Sequence, residues 1–143
     1  MLDLTVDIGG LSDSLDRLSK GLEAELHVAL NRTLLFMAGE AKQRAPVDTG
    51  FLRASIYPVS LTLNGHAMAI TAASAQNPNA AFSLSIPVPR TKLEGFLVAG
   101  ADYAKFVEFG TVRGSSFTPG YLFMTDALEK GRPILRKEAL EAW

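Results

Sequence analysis

The sequence contains no cysteine, only two histidines and no long run of apolar residues. Without cysteine there is no disulfide framework, no thiolate ligand for zinc and no thiol nucleophile. The formal net charge of −1 at pH 7 gives no strongly basic surface, which argues against direct sequence-specific nucleic-acid binding. No apolar run approaches the length of a membrane span, so we expect no membrane partner.

Length and composition are those of a folded domain. With 143 residues, of which 48% are hydrophobic and 20% are charged, the chain is long enough to bury a core, and we predict one domain over residues 1–143. The first ten residues carry two aspartates and no basic residue. We therefore expect no signal peptide, and a protein made in the cytoplasm.

The first third of the chain predicts a strand followed by a long helix. Residues 2–8 alternate between apolar and polar side chains, which is typical of a half-buried strand. Leucines spaced by three and four residues then predict a helix of about thirty residues. We expect this helix to start at Ser12 or Asp13 and to end at Arg44, because Pro46 disfavours helical geometry in Ala45. Its apolar stripe fits packing against the domain's own sheet, with a partner helix as the alternative.

The remaining patterns predict an antiparallel sheet. Asn64-Gly65 between two alternating runs predicts a hairpin with strands at 54–63 and 66–73. Further predicted elements are a buried strand at 96–100, a helical turn at 103–108 capped by Asp102, a loop at 112–121, and a last helix that starts at Thr118-Pro119 and breaks or kinks at Gly131–Pro133. The predicted fold is α+β: an antiparallel sheet of about four strands packed against the long N-terminal helix, with a C-terminal helix and an extended arm.

The extended arm is the segment 76–92. Within it, apolar and small or proline residues alternate, and the prolines exclude a central strand. The apolar residues are Phe82, Leu84, Ile86 and Val88. They could dock on a neighbouring subunit, or the segment could fold back on its own sheet. The pattern does not decide between these alternatives.

Few residues suggest chemistry. The two histidines, His27 and His66, have no acidic or cysteine partners at ligand spacing, and no cofactor motif is present. We therefore expect no metal site and no cofactor. Glu108, between Phe106 and Phe109, is the one candidate general acid. Since no second titratable group is suggested for such a site, we favour a structural ion pair with Arg53.

Three segments carry a resemblance to a known family. In order along the chain they are APVDTGFLRASI at 45–56, YAKFVEFGT at 103–111 and TPGYLFMTDAL at 118–128. Together they resemble the tail-completion or tail-terminator minor tail proteins of long-tailed bacteriophages, which also occur in prophages and gene-transfer particles. The most specific residues are Asp48, Thr49, Gly50, Arg53, Tyr103, Glu108, Phe109, Gly110 and Thr111. The resemblance covers about residues 12–142. Gly120 departs from it, because the family usually has an apolar residue after the proline, and the arm is longer than expected.

The resemblance implies a structural role in the virion, not an enzyme. Such proteins form a ring, typically a hexamer, at the head-proximal end of the tail tube, where it ends tube polymerisation and allows head-tail joining. The implied partners are other copies of the chain, the major tail tube protein, and a connector or stopper protein. One alternative is another neck protein, that is, a connector or stopper itself. A second is a small phage enzyme that uses Glu108 as its general acid.

Overall fold

The computed structural model describes residues 2–7, 20–46 and 50–142. Their elements are β1 (Leu2–Asp7), α1 (Lys20–Arg44), α2 (Phe51–Ala54), β2 (Ile56–Val59), α3 (His66–Gln76), β3 (Glu94–Ala99), α4 (Ala104–Phe109), β4 (Gly110–Arg113), β5 (Ser116–Pro119) and α5 (Phe123–Ala142). This mixture of helices and antiparallel strands agrees with the predicted α+β class.

The strands of this part of the chain form two separate sheets. The central sheet has three antiparallel strands in the order β1–β3–β2, and β4 pairs with β5 as a two-stranded hairpin. The predicted sheet of about four strands is therefore only partly matched. In the central sheet Ala99 of β3 lies between Leu2 and Ile56, so these three side chains share one face.

The first face of the central sheet packs against α1, which also packs against α5. Leu30, Leu34 and Met37 of α1 are fully buried in the main core, together with Phe123 and Met124 of α5. The leucine stripe of α1 thus meets the domain's own sheet, as predicted, and also meets α5. The burial of α1 between the sheet and α5 removes apolar surface from water and stabilises the fold by roughly 25 cal/mol per Å².

The ends of the long helices differ in how well they were predicted. α1 ends at Arg44 as expected, while its predicted start at Ser12 or Asp13 lies outside the described residues. α5 continues without interruption through Gly131–Pro133, so the helix does not break there, and the kink that was the other form of the prediction stays a prediction. A side chain at Gly131 would collide with Met37, which shows how closely α5 approaches α1 there.

The predicted second strand of the Asn64-Gly65 hairpin is wrong. Strand β2 covers only Ile56–Val59, and the residues after the Asn-Gly pair form helix α3. The segment is rich in alanine, which has the highest helix propensity, and this outweighs its short alternation. The side chain of Asn64 accepts a hydrogen bond of 3.0 Å from the His66 backbone N–H, which is a local turn contact typical of asparagine. Ala69 and Ala73 are the buried face of the helix.

The predictions for residues 102–121 also need correction. The predicted loop contains the β4–β5 hairpin, in which Thr118 pairs with Thr111 instead of starting a helix. Helix α5 begins at Phe123. The first residue of α4 is preceded by Tyr103 without a side-chain cap, so Asp102 is not its cap. These corrections share a cause: the strand pairing and the later helix start depend on contacts between residues distant in sequence.

The segment 80–92 lies on the second face of the central sheet. Phe82 and Ile86 pack against the cluster of Tyr57, Val59, Ala69, Phe96 and Val98. The backbone N–H of Ser83 donates a 2.8 Å bond to the Gly100 carbonyl. Leu84 and Val88 point outward and are 75% and 78% exposed. Every second one of the four apolar residues therefore packs on the domain's own sheet. The contact of the arm with a neighbouring subunit stays a prediction.

Candidate functional site at a buried carboxylate

Glu108 is fully buried near the end of helix α4. Its Oε2 accepts a 2.8 Å hydrogen bond from the backbone N–H of Met124. Its Oε1 accepts a 2.8 Å bond from the backbone N–H of Thr125 and a second bond from the Thr125 hydroxyl. Both carboxylate oxygens are thus used inside the protein.

The donors belong to the first turn of α5, which explains why a buried carboxylate is stable here. The first N–H groups of a helix have no partner within the helix, and the helix dipole favours negative charge at that end. The residue before α5 is Leu122, whose side chain cannot accept a hydrogen bond, and its φ of 50° is unusual for a non-glycine residue. Glu108 therefore caps α5 from a distance in the sequence.

The backbone completes this connection. The carbonyls of Val107 and Glu108, at the end of α4, accept hydrogen bonds from Tyr121 and Leu122 at 2.8 and 3.1 Å. The last carbonyls of one helix and the first N–H groups of the next are thereby satisfied together. We call residues 107–110 and 120–125 the carboxylate junction. It holds both ends of the β4–β5 hairpin.

Two glycines allow the chain to pass through the junction. Gly110 has a φ of 87°, and a Cβ there would overlap the carbonyl of Thr118. A Cβ at Gly120 would overlap the carbonyl of Glu108. Glycine at 120, the departure from the family pattern, is thus required by the close approach of two backbone segments.

The predicted ion pair between Glu108 and Arg53 is wrong. The carboxylate is bonded by α5 instead, and within the described residues the Arg53 Nε is buried without a hydrogen-bond partner. Sequence reasoning missed Met124 and Thr125 as the partners. The available signal was Leu122, a residue unable to cap the apolar helix that follows it.

The structure brings the two resembling segments together through aromatic rings. Asp48 and Thr49 lie outside the described residues, and Gly50 has the positive φ, 75°, expected of the turn. Phe51, the next residue, has its ring centroid 6.3 Å from that of Tyr103. Aromatic contact therefore connects the described parts of the two motifs.

Around the junction, large apolar side chains are exposed. Val112 and Phe117 are directly opposite each other on the hairpin, so they share a face, and they are 69% and 63% exposed. The hairpin patch, as we define it, consists of Phe106, Phe109, Val112, Phe117, Tyr121 and Leu122. Of the predicted motif residues, Phe109 belongs to this surface and Thr111 lies in the hairpin itself.

Tyr57 is a buried group without a chemical task in this geometry. Its ring stacks on Phe82, with the centroids 6.4 Å apart, and within the described residues its hydroxyl has no hydrogen-bond partner. Burial raises the pKa of Tyr57 to about 12, and the negative charge of Asp3 adds to this shift. Both residues pair with Val98 from opposite sides. The phenol therefore stays neutral at physiological pH.

His27 has a structural environment. One ring nitrogen lies 2.5 Å from the Lys92 carbonyl and the other 2.6 Å from the Thr62 hydroxyl. Since a carbonyl only accepts, Nδ1 donates to it, while the Thr62 hydroxyl beside Nε2 can donate or accept. His27 thereby connects α1 to two loops. Within the described ranges, no group of side chains could hold a metal ion, and no helix is long and apolar enough to cross a membrane.

Comparison with known protein families gives a match over part of the chain. Residues 10–62 match a family model described as "Bacteriophage HK97-gp10, putative tail-component". The chain is thus similar to a family of phage tail components over this region, which contains Asp48, Thr49, Gly50 and Arg53 but not Glu108. Neither the curated proteins nor the solved structures gave a match.

Proposed function

We propose that this protein is a structural tail component of a long-tailed bacteriophage. In this proposal it forms a ring at the head-proximal end of the tail tube, ends tube polymerisation and enables head-tail joining. The observation that carries the tail assignment is the family match over residues 10–62. The resemblance of residues 103–111 and 118–128 to tail-completion proteins supports the finer role. The protein would be made in the host cytoplasm and located in the virion.

The exposed surface is suited to assembly. Large exposed apolar patches mark sites of protein–protein contact, and the hairpin patch exposes six large side chains. The carboxylate junction fixes the base of this patch by hydrogen bonds to both sides. The proposed partners are other copies of the chain, typically six in a ring, the major tail tube protein, and a connector or stopper protein.

The bonding of Glu108 supports a structural role over the enzyme alternative. A general acid must reach the atom that it protonates. Glu108 has no exposed surface, and both its oxygens accept hydrogen bonds from the start of α5. A substrate could reach it only by displacing these bonds and so uncapping the helix.

The test is electron microscopy of lysates from the parent phage with this gene deleted, beside a complemented control. Filled heads with unattached, overlong tails are the expected result. Unattached tails of normal length would contradict tube termination and favour the connector or stopper alternative. Normal virions with a defect only in lysis or infection would contradict a tail role altogether.

A further inference from the structure

We infer that the hairpin patch of one copy docks into a groove between α1 and α3 on the next copy. This inference deepens the proposed ring and rests on it. The groove runs along the outer edge of strand β2 and has a volume of about 410 Å³. It shares no residue with the hairpin patch, so the two surfaces are available on the same molecule at once.

The size of the hairpin patch fits a protein partner. Aromatic side chains bury about 150–250 Å² each, so the exposed fractions of the six residues amount to roughly 600 Å² of side-chain surface. This is at the upper end of the largest patches on monomers, about 300–600 Å². It is also close to the roughly 800 Å² that each partner contributes to a stable interface. The patch alone would therefore form most of one side of such an interface.

The groove offers apolar walls to receive these side chains. Leu35 of α1 and Met68 of α3 stand on its two sides and are 55% and 81% exposed. Ala54 and Pro58 lie at its floor. Proline at 58 fits an edge strand because it has no N–H to donate to a further strand. Bulky rings from a neighbour would find small and apolar contacts at this floor.

Charge is nearly absent from the groove. Its floor and α3 wall are formed by residues between 54 and 72, and the stretch 54–89 contains no aspartate, glutamate, lysine or arginine. Lys42 of α1 is the one charged residue among those lining the groove. The hairpin patch has a cation beside it, since the Lys105 Nζ lies 5.2 Å from the centroid of the Phe106 ring. Cores of interfaces are depleted of charged residues because burial would remove their hydration, so the groove suits the core of an interface, with Lys105 at the rim of the patch.

Two different surfaces on one chain favour a second copy as the occupant. A contact between unlike patches is heterologous, and it gives a ring when the rotation between successive copies closes and a filament when it does not. A contact of the hairpin patch with itself would instead give an isolated pair. The groove and the hairpin patch thus supply the two complementary sides that a ring subunit needs.

Cysteine trapping can test this contact directly, since the natural chain has no cysteine. The variants are Val112→Cys and Met68→Cys, both at exposed positions where folding is expected to be unaffected. Equal amounts of the two are mixed and oxidised, and the same pair is tested in assembled tails. We expect a disulfide between positions 112 and 68 in several-fold excess over either homodimer. In the double variant we expect a covalent ladder that ends at the ring number.

Leu140→Cys, exposed on α5 and outside both surfaces, is the matched control and is expected to give no excess with Val112→Cys. The inference is overturned if 112–112 homodimers dominate, or if assembled tails contain no 112–68 disulfide. A disulfide from position 112 to another tail protein would overturn it too. If rings form without the 112–68 disulfide, the docking fails and the proposed function stands. If no rings form and the gene deletion leaves tails normal, the proposed function fails.

Discussion

The segment 81–89 and the hairpin 110–119 are both apolar, extended and outside the central sheet. They differ in whether their apolar side chains are buried or exposed. In the first, Phe82 and Ile86 pack on the second face of the sheet. In the second, Val112 and Phe117 both face solvent. Both ends of the hairpin lie in the carboxylate junction, and its strands make few contacts with the rest of the domain. Alternating apolar residues thus indicate an apolar face. Whether that face is buried within the domain or left exposed depends on the surrounding fold.

The largest loss of stability is expected from a change in the segment 81–89, which packs on the sheet. Phe82→Ala removes a ring that contacts Phe51, Tyr57 and His66, and we expect it to lower the free energy of unfolding by about 3 kcal/mol. Leu84→Ala, two residues away and exposed, is expected to change it by less than about 0.5 kcal/mol. Urea denaturation measures both. Equal effects would show that the segment is not packed as described. Replacing the whole segment by a flexible linker would therefore also impair folding, not assembly alone.

The next largest loss of stability is expected at Glu108, whose hydrogen bonds hold the base of the hairpin. Glu108→Gln keeps one acceptor oxygen, but the amide NH₂ then faces a backbone N–H of α5. We expect a loss of about 2–3 kcal/mol, because charge-assisted bonds are removed and a buried donor is left unpaired. Glu141→Gln, exposed at the end of α5, is the control and is expected to be neutral. A hydrolase activity that disappears in Glu108→Gln would contradict the structural role.

A smaller loss of stability is expected from a change at Gly120, where two backbone segments of the junction approach each other closely. Gly120→Ala places a methyl group against the carbonyl of Glu108 and is expected to cost about 2 kcal/mol. Gly39→Ala provides a control of opposite sign, since a Cβ there meets nothing within 4 Å and alanine favours a helix by about 1 kcal/mol over glycine. Thermal unfolding of the two variants compares them. A stable Gly120→Ala would mean that the junction is looser than described.

Tyr57 gives a pH-dependent effect on stability. At neutral pH, Tyr57→Phe is expected to be at least as stable as the parent, because it removes a buried hydroxyl without a partner. The phenol ionises near pH 10 when unfolded and has a pKa of about 12 when folded. Its contribution is therefore complete below about pH 10 and is lost as the pH rises through about 12. The variant lacks this component, so its advantage should grow between about pH 9 and about pH 11.

Denaturation of Tyr57→Phe and the parent at both pH values is the measurement, with the exposed Tyr121→Phe as control. A constant difference between parent and variant would contradict the burial of the hydroxyl.

The smallest stability effect is expected on the hairpin. Val112→Ser and Phe117→Ser alter exposed side chains, so the free energy of unfolding is expected to change by less than about 1 kcal/mol. Assembly, measured by native mass spectrometry or by incorporation into tails, is expected to be lost. Thr111→Ser on the other face of the hairpin is the control and is expected to leave assembly intact. A large loss of stability would show that the hairpin is part of the core.

Local sequence signals predicted the parts of the fold that are locally determined. The alternation of residues 2–7 indicated β1, and Pro46 indicated the end of α1. They failed where a competing local signal was stronger, as in α3, where alanine content outweighed the alternation of Met68 and Ile70. They also failed at the hairpin, whose four-residue strands are too short to stand out from a loop.

The site was predicted only in part because its bonds join distant residues. The sequence favoured a structural, bonded role for Glu108 and a short helix around it. It did not indicate Met124 and Thr125, since donors of the backbone carry no residue-specific signal. It suggested Arg53 because arginine is the usual partner of a buried carboxylate. A helix start can serve the same purpose, and here it does.

The stretch 54–89, which has no charged side chain, determines how assembly would respond to its surroundings. Dissolved ions screen interactions between charges, and a contact with few charges gives them little to screen. Association through this surface would therefore hardly depend on ionic strength. It would instead weaken on cooling and strengthen with excluded salts such as sulfate, since hydrophobic burial follows those variables. Such a ring would therefore dissociate on cooling more readily than at high ionic strength.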